Sequence, residues 1–185
     1  MIILKLAIVS DTLPPNECSM HSLIPYVIAH VMYARGIDVV LVGKSQCIGL
    51  RSNYVDIHVV SSPNSISRMW SLAMQIAIIL GELAHEDIDI FHAFGLVSSL
   101  ATLYVAQAHS IPFIYTPTTY PLGSSLEVLS TKAIEDKIMN SANAIVIFDE
   151  IGTALSSITK NALQLSIQDT LVVKKLEDLY RGLIR

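Results

Sequence analysis

Charge is scarce in this chain. Of 185 residues only 15% are charged, with a net charge of −4. No basic stripe runs along it to neutralise phosphates, which argues against nucleic acid as a partner. Cysteine is scarcer still. Cys18 and Cys47 make neither a disulfide framework nor a Cys-x-x-Cys metal motif, and a reducing, cytoplasmic setting is the default reading. Glycines never cluster: the eight lie at 36, 43, 49, 81, 95, 123, 152 and 182. This excludes Gly-x-Gly-x-x-Gly and the P-loop, and with them the usual nicotinamide and nucleoside-triphosphate sites. The nucleophile elbow Gly-x-Ser-x-Gly of the α/β-hydrolases is also missing. No run of about 18 uninterrupted apolar residues offers a membrane span. The opening MIILKLAIVSD has no basic leader and reads as a strand rather than a signal peptide.

Apolar residues are abundant, at 52%. That composition excludes disorder and predicts strands buried on both faces, as in parallel sheets. β-branched runs mark strands at Ile3–Val9, Asp38–Val42, Ile57–Val60, Asp89–His92, Pro112–Thr116 and Ala144–Phe148. Between them, apolar spacing predicts helices at Leu23–Arg35, Ser67–His85, Leu96–His109, Glu127–Ser141 and Ile151–Ile158, with an amphipathic terminal helix over 170–185. Alternation of this kind implies right-handed crossovers and a single Rossmann-like, doubly wound parallel sheet of about six strands. No repeat or linker divides residues 1–185, so one domain is expected. The segment MWSLAMQIAIIL (69–80) reads as a buried helix, with a peripheral membrane contact as an option.

In such a sheet, ligands sit at the carboxyl ends of the strands. The loop SDTLPPNECSMHSL (10–23) joins the first strand to the first helix and contains no glycine. Of the six histidines, His30 and His58 lie inside elements and read as structural. His85 and His109 sit at helix ends, where a cation suits the dipole. His92 ends a strand at the ligand face. It reads equally as a hydroxyl-binding group and as an internal hydrogen-bond partner. Glu127 and Glu135 share a helix face, as solvated surface charges do.

Four motifs in order resemble a known family. Pro14-Pro15-Asn16-Glu17-Cys18-Ser19 is followed by a helix ending Ala34-Arg35-Gly36 and the strand Asp38-Val39-Val40. Asp89-Ile90-Phe91-His92-Ala93-Phe94-Gly95, Ser110-Ile111-Pro112-Phe113-Ile114-Tyr115-Thr116-Pro117-Thr118 and Ala142-Asn143-Ala144-Ile145-Val146-Ile147-Phe148-Asp149 complete the set. Together they resemble the N-terminal, acceptor-side half of the family 4 glycosyltransferases, whose GT-B fold pairs two Rossmann-like domains. The resemblance covers residues 3 to about 155, and KLEDLYRGLIR resembles the family's terminal helix, which packs back on this domain.

The resemblance implies substrate contacts by Asp11, Cys18, Ser19, His92, Thr118 and Thr119. It assigns no catalytic residue, metal or resident cofactor; a nucleotide sugar would be a co-substrate. Three departures accompany it. Cys18-Ser19 stands where the family keeps a glycine pair, Thr118 where it keeps a histidine, and too few residues follow Asp149 for a donor domain. The expected function is therefore that of a glycosyltransferase-like acceptor-side domain, active only with a separate donor-binding domain. The alternative is a degenerate, non-catalytic binding or interaction domain. Expected partners are a donor-domain protein or a second copy, with a sugar or lipid-linked acceptor. The expected location is cytoplasmic, with the inner membrane face as an option.

Overall fold

A computed structural model describes residues 4–14, 20–45, 52, 54–60, 68–118, 125–149, 162–166 and 168–184. Leu6 to Val9 are all fully buried, which is why this strand reads as an unbroken apolar run rather than an alternation. It belongs to β1 (Lys5–Ser10), and α1 (Met20–Ala34) returns the chain to β2 (Asp38–Lys44) and β3 (Asp56–Val60). Gly36 closes α1 at φ 79°, a left-handed conformation that costs glycine little, and the Ile37 amide reaches back to the Met32 carbonyl. The chain continues through α2 (Arg68–Ala84), β4 (Ile90–Phe94), α3 (Leu96–His109), β5 (Phe113–Thr116), α4 (Ser125–Ser141), β6 (Ala144–Phe148), β7 (Ala162–Leu165) and α5 (Val172–Leu183).

All described strand pairs are parallel, in the order β3-β2-β1-β4-β5-β6-β7. The chain winds outward from β1 to β3, then restarts beside β1 at β4. The topological switch point lies between β1 and β4, the place where α/β sheets open a crevice. Alternate side chains feed two cores. Ala7, Val9, Phe91 and Ala93 face α2 and α3, whereas Leu6, Ile8, Ile90 and Phe94 face α1 and α5. Leu176 and Tyr180 are the fully buried anchors of α5 in the second core.

The doubly wound parallel architecture agrees with the sequence expectation. The sheet has seven strands rather than about six, because Ala162–Leu165 pairs along β6 from Ile145↔Ala162 to Phe148↔Leu165. β4 runs on to Phe94, so His92 lies within it rather than at its end. The helix expected at Ile151–Ile158 lies outside the described residues. Among the described residues, no helix is long and apolar enough to cross a membrane.

Candidate functional site at the sheet switch point

The carboxyl edge of β1 and β4 is built from the first residues after each strand. The Asp11 amide donates to the Phe94 carbonyl and the Gly95 amide to the Thr116 carbonyl, which ties the ends of β1, β4 and β5 together. α3 starts at Leu96 and has Gly95 at its N-cap, a residue with no side chain to cap it. Asp11 supplies the cap from another strand. Its carboxylate accepts the Ser98 amide at 2.5 Å and the Val97 amide at 3.3 Å. A helix N-terminus offers unpaired amides and positive potential, which an anion satisfies; here the anion is a side chain of the chain itself. Gly95 has φ 99°, and a Cβ there would collide with the Asp11 carboxylate. The glycine of His92-Ala93-Phe94-Gly95 thus makes room for a carboxylate.

The loop after Asp11 turns toward β2. The Leu13 amide donates to the Lys44 carbonyl at 2.8 Å, and its fully buried side chain lies over Gly43. A Cβ on Gly43 would meet the Ser10 carbonyl oxygen at 2.7 Å and Leu13 Cγ at 2.8 Å. Ser45 Oγ donates to the Pro14 carbonyl, fastening the loop from the β2 side. Leu13 and Asp11 are thus both buried at the switch-point edge of the sheet.

His92 lies beneath this edge, on the α1/α5 side. It is fully buried, with Nδ1 2.7 Å from the Tyr180 hydroxyl and Nε2 2.8 Å from Thr116 Oγ1. The ring stacks on Phe94, with centroids 4.3 Å apart. A neutral imidazole has one donor and one acceptor nitrogen, and two rotatable hydroxyls satisfy both. Burial disfavours the cation and lowers the His92 pKa to about 3. With both nitrogens engaged inside the protein, His92 acts as an internal clasp between β4, β5 and α5.

The other expected site residues are distributed as follows. Thr118 is half-buried, two residues beyond β5. Cys18, Ser19 and Thr119 lie outside the described residues. The structure brings Asp11 and His92 to adjacent strands, but each turns to a different partner. Thr116 and Tyr180, which complete the clasp, carry no sequence signal; Tyr180 is 88 residues from His92. Glu135 is not merely a solvated charge: it accepts a hydrogen bond from the Tyr115 hydroxyl at 2.9 Å. Burial first, then the Glu135 charge, push the Tyr115 pKa upward, so its phenol stays protonated. Among the described residues, no group of three His, Cys, Asp or Glu side chains is placed to hold a metal.

No family model matches the chain, and neither does any curated protein. Solved structures do match. A form of sucrose-phosphate synthase from Thermosynechococcus elongatus aligns with a TM-score of 0.72 at 12% identity, covering 98% of this chain and 99% of that one. The chain has the fold of one half of a GT-B enzyme. Against the longer structure of the same synthase it covers 47% of that chain, with a TM-score of 0.63 and 10% identity. Against Phytolacca americana UGT2, complexed with UDP-2fluoro-glucose and pterostilbene, the TM-score is 0.57 at 14% identity, covering 90% of this chain and 54% of that one. The chain thus spans about half the length of these enzymes. A UDP-N-acetylglucosamine 2-epimerase also matches, at a TM-score of 0.53 and 13% identity, over 79% of this chain and 42% of that one. One fold therefore serves both sugar transfer and epimerisation, and function must be argued from the site.

Proposed function

We propose that this chain is the acceptor-side, N-terminal-type domain of a family 4-like sugar-transferring enzyme, completed by a separate donor-binding domain. The observation that carries this reading is the end-to-end match to the synthase form named by the ranges 27–220 and 406–426. Those ranges join an early half to one late, short segment. On this reading α5, anchored through Tyr180, is the counterpart of the late segment. The four sequence motifs point to the same half. Retaining a sugar nucleotide needs an inter-domain cleft that excludes water, and one sheet supplies one wall of it. The nucleotide sugar is then a co-substrate held mainly by the other domain. Cys18, Ser19, Thr118 and Thr119 belong to the acceptor wall, with Asp11 and His92 as positioning residues behind it. A sugar or lipid-linked acceptor suits this arrangement, in a cytoplasmic setting with peripheral contact at the inner membrane face as an option.

A specific observation favours the second reading, a non-catalytic binding domain. The α3 N-terminus is occupied by Asp11, and His92 is neutral and fully engaged. Neither group is free to take a proton or a phosphate.

Calorimetry of the full chain with UDP-glucose and with GDP-mannose, alone and with a donor-domain protein encoded beside it, tests both. The acceptor-side reading expects no saturable binding by the chain alone and sugar transfer when the two are mixed. Saturable nucleotide-sugar binding by the chain alone would overturn the split arrangement. Complex formation without transfer to any sugar or lipid-linked acceptor would leave the non-catalytic reading standing in its place.

A further inference from the structure

The helices α2 and α3 pack side by side and end together, at the edge of the sheet opposite the switch point. His85 directly follows α2, and His109 is the last residue of α3. Both are exposed, and their rings meet edge to face at 85°, with centroids 5.0 Å apart. Two imidazoles bound to one tetrahedral zinc at about 2.0–2.1 Å would have centroids about 5.2 Å apart, so the observed spacing already fits a shared ion. The Cβ–Cγ axis of histidine points at the ring centre. Rotation about χ2, a soft torsion, therefore redirects the nitrogens of each ring without moving its centroid.

The surroundings favour a cation as well. Each helix C-terminus carries negative potential, and the exposed carboxylates Glu86 and Asp87 follow His85 directly, Glu86 lying 3.7 Å from Lys5 Nζ. Neither carboxylate joins the histidines as a third ligand in the described arrangement. We propose that His85 and His109 form a two-histidine site for a zinc-class divalent ion, with water in the remaining positions. Imidazole suits zinc, nickel and copper and gives little advantage to magnesium or calcium, which sets the selectivity. Such an ion staples the carboxyl ends of α2 and α3 at a distance from the sugar-binding edge, so the site is independent of the function proposed above.

The test is titration of the full-length chain with zinc chloride, read by calorimetry and by the shift in melting temperature. Zinc is expected to bind saturably, to raise the melting temperature, and to be removed by EDTA; magnesium is expected to do neither. His85→Gln and His109→Gln should each weaken binding at least about tenfold, because one remaining surface imidazole cannot chelate. Both side chains are exposed, so circular dichroism should show both variants folded. His58→Gln, elsewhere on the sheet, should bind zinc as the parent does. Absence of saturable zinc binding, or binding of unchanged stoichiometry and affinity in either ring variant, would overturn the proposal.

Discussion

Acidification from pH 6.5 to pH 5 should weaken this fold through a single buried ring. In the unfolded chain His92 takes up a proton as the pH falls through about 6.5. In the folded chain it does so only near pH 3, because burial disfavours the cation. Between those values the unfolded state binds more protons, so stability falls as the pH is lowered, and below about 3 no further loss comes from this group. Each pH unit within the window is worth about 1.4 kcal/mol, so the loss is about 2 kcal/mol at pH 5 and at most about 5 kcal/mol overall. The partners do not blunt the effect. Thr116 carries an uncharged hydroxyl, and burial pushes the Tyr180 phenol up, so it too stays neutral. The assay is urea unfolding at a series of pH values, for the parent and for His92→Gln. Glutamine cannot titrate, and comparing slopes rather than absolute stabilities cancels its own cost. With a urea slope of about 2 kcal/mol per molar, the parent midpoint should drop about 1 M more than that of the variant between pH 6.5 and 5. Parallel pH profiles for the two proteins would refute the burial argument.

Three further outcomes follow from the same contacts. Tyr180→Phe strands a buried imidazole nitrogen and should cost about 1–3 kcal/mol in urea unfolding, or roughly 2–4 °C of melting temperature per kcal/mol; a neutral effect would mean that the ring finds another partner. Gly95→Ala should cost at least about 2 kcal/mol, from the positive φ and the collision with Asp11 together, and an unchanged melting temperature would show that Asp11 does not cap α3. Arg35→Ala removes the 3.1 Å pair with Glu177, but the arginine is half exposed, so the cost should stay below about 1 kcal/mol; a larger loss would make this pair, rather than Tyr180, the main tether of α5.

Legibility from the sequence followed burial. β1, β2 and β6 announce themselves as β-branched runs because both of their faces are covered. β7 does not. Ala-Leu-Gln-Leu has no β-branched residue and suits a helix by propensity; its pairing with β6 at the edge of the sheet decides the matter. Asp11 could be placed at the carboxyl edge from the order of elements alone, whereas His92, expected at the end of its strand, lies within β4. The partners of neither could be placed, since a cap donated from β1 to α3 and a hydroxyl arriving from α5 are contacts between distant segments with no local pattern. The sequence reading of His92 left a ligand role and an internal role level. Tyr180 and Thr116, one on each nitrogen, supply the internal role that residue type alone could not decide.

The clasp between His92 and Tyr180 also bears on how the chain is made. Synthesis delivers β1 to β6 well before α5, and a domain completes its packing only when its most distant contacts can form. Until Tyr180 emerges, the His92 ring has one nitrogen without its hydroxyl, and the apolar face beneath α5 is uncovered. A nascent chain stalled before residue 172 should therefore be open to proteases and to chaperones that read exposed apolar surface. Emergence of α5 would then close this sheet's second core in one step.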